Sequence, residues 1–273
     1  MNRLFLKIKR SRKASGFKFL EQMKQDNLYI DVTLPSSWQE LSDTQLYYVY
    51  HLLSGSLGSE QIKTFCLFLW GKLKIVCRYG ADYIVKCRGQ EFRVSAGIVL
   101  NALHTLDFLD EVPASPVRIS RLKGGTAVEA DLQGVPFKHY LYLENLYQGY
   151  LSTQRQSLLC EMAMLLYGLD DVPALNQAEK VNVFYWWTAV KLLFQRRFNH
   201  FFAPVSEDGN LMGDARSTAQ KVEDAMNAQI RALTKGDITK EAQVMAMDTW
   251  RALVELDAIA KESQELNAKY GRA

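Results

Sequence analysis

Near the front of the chain, two short stretches carry apolar residues at helical spacing. Trp38, Leu41, Leu46, Val49, Tyr50 and Leu53 fall on one side of a helix predicted over 38–53. Ser36 or Ser37 can cap it, with Gln39 or Glu40 at capping-box distance. Ser54-Gly55-Ser56 stops it, and Ser59 opens a second helix with Ile62, Phe65, Cys66, Leu69 and Trp70 at the same period. The two read as an antiparallel helical hairpin. From about Lys72 the pattern shortens. Leu73 to Cys77, Tyr83 to Cys87 and Glu91 to Val94 are rich in Val, Ile, Tyr and Phe, and Arg88-Gly89-Gln90 makes a tight turn between the last two. Residues 82–94 are therefore predicted to form a β-hairpin. Ser95 caps a further helix to about Leu109; Val117-Arg118-Ile119 and Ala127 to Leu132 read as short strands, with Gly124-Gly125 as a loop.

The helical period returns at Phe137. Tyr140, Leu143, Tyr147 and Tyr150 form a stripe, and 153–167 continues it until Gly168. Asn176 caps the most apolar helix, over 177–202, where Val183, Trp187, Val190, Phe194, Phe198 and Phe201 share a face that Phe184, Trp186, Leu192 and Leu193 widen. A helix with so little polar surface belongs in a core or at a partner interface. Residues 217–270 become polar and helical in two runs divided by Gly236-Asp237, the second with an apolar stripe of Met247, Trp250, Leu253 and Val254. A narrow stripe must dock to be stable, on its own body or on another subunit. The fold class predicted is α+β, mainly α-helical. It comprises a basic N-terminal arm over 1–26, a mixed helical body with a small β-hairpin or sheet over 27–203, a linker over 204–216 and a helical appendage over 217–273.

Composition narrows the classes. At 48% hydrophobic and 23% charged residues the chain is neither a disordered linker nor fibrous. The formal charge of +3 conceals an asymmetry: residues 1–24 carry eight cations against Glu21 alone, or +7, which leaves −4 for the remainder. Such an arm, with Lys7, Lys9, Arg10, Arg12 and Lys13 at its centre, suits nucleic acid, an anionic surface or an acidic partner, and equally a solvated terminus. Leu4-Phe5-Leu6 is too short for a signal-peptide core, and no window reaches the length of a membrane span. The expectation is a cytoplasmic protein without membrane contact. Cys66, Cys77, Cys87 and Cys160 form no C-x-x-C pair and read as free thiols. His51, His104, His139 and His200 are scattered, so no metal or other cofactor is expected.

No constellation announces a reaction. Gly55-Ser56-Leu57-Gly58-Ser59 lacks the Gly-Lys-Ser/Thr of a phosphate loop and reads as a helix-to-helix turn; no G-x-S-x-G or H-E-x-x-H occurs. Asp107, Asp110 and Glu111, like Asp170 and Asp171, read as solvated carboxylates, and Arg196-Arg197 as cations complementing a helix C-terminus. The aromatic residues say more. Five Trp, 13 Tyr and 13 Phe exceed what a minimal helical core needs, and amphipathic aromatics are favoured at protein interfaces. Trp186, Trp187, Trp250, Tyr147 and Tyr150 are the partner-binding candidates, with Trp250 the expected anchor of the tail, so that an interaction protein rather than an enzyme is expected.

Two stretches carry a family resemblance. Leu34-Pro35-Ser36-Ser37-Trp38-Gln39-Glu40-Leu41, with Gln45-Leu46, resembles the start of uncharacterised proteins from tailed-phage and prophage morphogenesis clusters of gut bacteria. Met226-Asn227-Ala228-Gln229-Ile230-Arg231-Ala232-Leu233-Thr234, Gly236 to Glu241 and Thr249-Trp250-Arg251-Ala252-Leu253 are similar to the same group. The resemblance implies a virion-assembly or tail-region protein, of the tail-assembly-chaperone kind that escorts the tape-measure protein. Its partners would be other phage assembly or structural proteins or further copies of itself, in the host cytoplasm or on the virion. The alternative is a nucleic-acid-binding accessory protein using the basic arm.

Overall fold

Where the first helix begins is decided by Ser42. Its hydroxyl accepts from the Gln45 N–H while the Gln45 side chain takes the Ser42 N–H at 3.0 Å, a complete capping box. Helix α1 therefore covers Asp43–Leu53. The start expected at Ser36 or Ser37 is a separate 3-10 turn, Trp38–Glu40, tied by the Ser36 N–H to the Glu40 carboxylate at 2.7 Å. The computed structural model describes residues 2–10, 28–203 and 218–270. Arg12, Lys13 and the linker expected over 204–216 lie outside the described residues.

The chain divides into two compact units, Met1–Val112 and Pro113–Ala273, so the single body expected over 27–203 is split at Pro113. In the first unit, α1 is followed by α2 (Ser59–Trp70) and α3 (Ala96–Leu103). A five-stranded sheet is built from β1 (Asn2–Arg10), β2 (Leu28–Leu34), β3 (Lys74–Tyr79), β4 (Asp82–Cys87) and β5 (Gln90–Ser95). Its order is β2-β1-β5-β4-β3, and each neighbouring pair is antiparallel. The hairpin predicted over 82–94 is β4–β5. The segment expected to be a basic arm is not an arm over Asn2–Arg10, where it forms an inner strand. The reason is visible in the residues: Leu4, Leu6 and Ile8 alternate with Arg3, Phe5, Lys7 and Lys9 at the period of a strand, and the charge count hid that period.

Alternation gives the sheet two unlike faces. Ile30, Val32, Leu34, Val85, Cys87, Phe92 and Val94 are buried on one side, where α2 meets β2 and β3, and α3 meets β1 and β5. Leu46, Val49, Tyr50, Cys66, Leu67 and Leu106 complete this core. Burial pushes the Cys66 thiol up to about 12, which makes it inert. The Trp38 indole N–H fastens the turn after α3 by donating to the Phe108 and Glu111 carbonyls at 2.8 and 3.0 Å.

The second unit contains α4 (Phe137–Thr153), α5 (Gln156–Tyr167), α6 (Gln177–Arg197), α7 (Thr218–Thr234), α8 (Glu241–Ala246), α9 (Thr249–Tyr270) and a two-residue-per-strand hairpin, β6 (Arg121–Leu122) with β7 (Gly125–Thr126). Helices thus dominate strands, as predicted. Gly168 ends α5 at φ +61°, a left-handed cap that glycine adopts without strain. A capping box of Asn176 and Glu179 starts α6. That helix is central: Val183, Trp186, Trp187, Ala189 and Val190 are fully buried. The predicted strand over 117–119 does not form. Asn182 Oδ1 accepts the Ile119 N–H at 3.0 Å and the Tyr167 hydroxyl donates to the Ile119 carbonyl at 2.9 Å, so side chains satisfy the backbone that a partner strand would have used. Ala127 to Leu132 likewise stays irregular, and Leu132 has a φ of +64°.

Candidate functional site

Of the five aromatic residues expected to meet a partner, three lie inside the second unit's own core, and Tyr150 and Trp250 pack against it partly buried. Trp186 and Trp187 are 0% exposed and Tyr147 is 6% exposed. Trp186 donates to the Ala130 carbonyl at 2.7 Å, lies edge-on to Tyr167, and has the Arg118 guanidinium 5.6 Å from its ring centre. Trp187 donates to Glu144 at 3.2 Å, and the same carboxylate accepts from Gln148 at 2.7 Å and pairs with Lys191. Tyr147 stacks on Phe184 and shares a hydrogen bond with Thr188 at 3.1 Å; Tyr150 meets the same Phe184 edge-on. Trp250 is partly buried between Phe194 and Phe198, with centroids 5.6 and 5.4 Å away, and its indole donates to the Asp131 carbonyl at 2.7 Å. It anchors α9 to its own unit. Trp186, Trp187 and Tyr147 therefore offer a partner no surface, contrary to the expectation from sequence. A buried indole N–H needs an acceptor, and the acceptors chosen here are internal.

The exposed apolar surface lies elsewhere, in the first unit. Along α2, Ile62, Cys66 and Leu67 turn inward, while Phe65 and Leu69 are left 49% and 53% exposed. They adjoin the sheet edge. Among the described residues strand β3 pairs only with β4, and its register slips between Ile75 and Cys77, which places Val76 in a bulge. Ile75 sits opposite buried Val85 yet is 47% exposed, because it lies at the outermost strand. Tyr48, Phe65, Phe68, Leu69, Leu73 and Ile75 together line an open groove of about 470 Å³, with Lys72 and Lys74 at its margin. Tyr47 and Val76 are further exposed apolar residues of the same elements. Single exposed apolar side chains are ordinary, but a contiguous set with a charged margin is the composition of a docking surface. The helical period signalled Phe65 and Leu69 as apolar. It could not signal that they stay exposed, since that depends on how far the sheet extends.

Of the acidic residues singled out in sequence, Asp107 and Asp110 are not merely solvated but hold a buried lysine, while Asp170 and Asp171 are exposed. Lys63 is buried between Asp107 and Asp110, at 2.6 Å from Asp107, and Ser59 donates to Asp110. Burial alone would lower the Lys63 pKa, but the bonds to the two carboxylates outweigh it and leave the amine raised. The bonds from Lys63 and His104 hold Asp107 below the ordinary carboxylate range. A second concavity, about 380 Å³ between α4 and α7, is lined by Tyr140, Glu144, Phe201, Met226 and Gln229 among others. Its carboxylate, Glu144, is the one already committed to Trp187, Gln148 and Lys191.

Among the described residues no group of three or more His, Cys, Asp or Glu side chains could hold a metal ion. No described helix is long and apolar enough to cross a membrane. No protein-family model, curated protein or solved structure matches the chain.

Proposed function

We propose that this chain is a non-enzymatic assembly protein of phage or prophage particles, working in the host cytoplasm or on the virion through contacts with other assembly or structural proteins. The observation that supports this best is the groove on α2 and β3, where Phe65, Leu69 and Ile75 are each about half exposed side by side. Its position at a sheet edge suits an extended or helical apolar segment, and Lys72 and Lys74 at the margin favour one that carries carboxylates. The resemblance of 34–46 and 226–253 to morphogenesis proteins supplies the setting.

The test is co-expression with each structural protein encoded by the flanking genes, followed by sizing at about 0.5 M salt, where exposed charges are largely screened. One of them is expected to form a complex that survives this salt and is lost in the Phe65→Ser/Leu69→Ser double variant. Both side chains are already exposed, so the variant is expected to keep its stability within about 0.5 kcal/mol. A complex that the variant leaves intact, or none with any flanking product, sinks the reading.

A further inference from the structure

We propose that the α2–β3 groove of one copy of this chain receives the C-terminal turns of α9 from a second copy. The inference rests on the reading of that groove as a docking surface and names an occupant for it.

Helix α9 outruns the unit that holds it. Thr249, Ala252, Leu253 and Leu256 are its buried residues. Asp257 accepts the N–H groups of His200 and Phe201 at 2.9 Å, and the Gln264 amide donates to the His200 carbonyl at 3.0 Å. From Lys261 to Tyr270 every residue is exposed. Leu266 and Tyr270 are 56% and 66% exposed, the latter although the Lys269 ammonium stands 5.3 Å from its ring centre. Glu262, Leu266 and Tyr270 recur every fourth residue, which sets them in one row along the helix.

The groove repeats that spacing. Phe65 and Leu69 are also four residues apart, about 6 Å along the axis of α2, and Lys72 follows just past the cap at Gly71. Laid antiparallel, the two rows match: Tyr270 on Phe65, Leu266 on Leu69 and Glu262 at Lys72. Rows of this kind are the ridges by which helices interlock. Charge agrees with the direction. Residues 71–80 carry Lys72, Lys74 and Arg78 and no carboxylate, and among the described residues none of the three is in an ion pair. Glu255, Glu262 and Glu265 on α9 are unpaired in the same sense. A helix suits this edge better than a strand does. Lys74 and the bulge at Val76 blunt β3 against further pairing, yet they leave the side-chain groove beside α2 open. Groove and row are unlike surfaces, so two copies either exchange them or pass them head to tail. About three turns of helix cover less than the ~800 Å² per partner of a standard interface, so the association is weak and depends on concentration.

Sedimentation velocity of the full chain from about 2 to 200 µM reads this. The wild type is expected to shift from monomer to larger species across that range. Leu266→Ser/Tyr270→Ser and Phe65→Ser/Leu69→Ser should each weaken association at least about tenfold. Both pairs are exposed, so circular dichroism should find both variants folded. Mixed in equal amounts, the two should recover a 1:1 complex, since one keeps the groove and the other keeps the α9 row. A loss caused by misfolding would not be restored by mixing. Lys72→Glu/Lys74→Glu should also weaken association, and adding Glu262→Lys/Glu265→Lys to the same chain should restore it without any apolar substitution. The proposal is overturned if the wild type remains monomeric at 200 µM. If a flanking product then still binds through Phe65 and Leu69, the groove stands and only this occupant is wrong. The proposal is equally overturned if Leu266→Ser/Tyr270→Ser associates as wild type does, or if the mixture stays monomeric.

Discussion

Replacing Asn182 tests whether the fold of the second unit depends on one buried polar ring. Asn182 is fully buried on α6; its Oδ1 accepts the Ile119 N–H at 3.0 Å and its amide donates to the Tyr167 hydroxyl at 2.8 Å. The hydroxyl closes the ring by donating to the Ile119 carbonyl at 2.9 Å. Asn182→Leu keeps the volume but leaves the Ile119 N–H buried with no acceptor, which costs about 1–3 kcal/mol, and removes a second bond at about 1 kcal/mol. A loss of about 2–4 kcal/mol is expected, or roughly 4–16 °C in melting temperature for a unit of this size. Tyr167→Phe strips the same ring from the other side, so the double variant should lose less than the two singles together, with a coupling of about 0.5–3 kcal/mol. Calorimetry and urea titration followed by tryptophan fluorescence read these values. If Asn182→Leu stays within 0.5 kcal/mol of wild type, or the singles add, the ring does not act as a unit and the account of why 117–119 forms no strand is wrong.

Further outcomes follow from equally local geometry. Gly125→Ala should destabilise the second unit by about 1–3 kcal/mol in urea titration, because a Cβ there would stand 2.3 Å from the Tyr167 carbonyl oxygen, which is backbone and cannot swing aside. Trp250→Ala should raise hydrogen exchange along α9 ahead of α4–α6, since it removes the indole wedged between Phe194 and Phe198 together with its bond to Asp131. Asp107, held below its ordinary range, contributes stability that is present above about pH 4 and is lost as pH falls through its depressed value. Lys63, raised, contributes stability present below about pH 10.4 and lost as pH rises through its higher folded value. Urea midpoints between pH 2 and 6 should therefore fall less steeply in Asp107→Asn than in wild type.

What the residues disclosed, and what they withheld, separates along the range of the interaction involved. The helix start set by a side chain and a backbone N–H three residues apart was legible at Asn176, α2 begins at Ser59 as read although Gly58 is its cap, and the tight turn at Arg88-Gly89 fixed the β4–β5 hairpin. Ser42 shows the limit of that reading: Ser36, Ser37 and Ser42 all offered a hydroxyl, and only the chain entering from β2 decides which one caps α1. Strand β1 was illegible for a different reason. Its apolar residues alternate with cations, so composition reported a charged arm, while the partners that make it a strand are Leu28–Leu34 and Arg93, up to 84 positions away in sequence. The site followed the same rule. Burial of Trp186 and Trp187 was foreseeable from an α6 with almost no polar face, because such a helix must be enclosed; their assignment to a partner treated that enclosure as intermolecular. Exposure of Phe65 and Leu69 was not foreseeable, because the period of α2 predicts which residues are apolar but not that, among the described residues, β3 is the end strand of the sheet beside them.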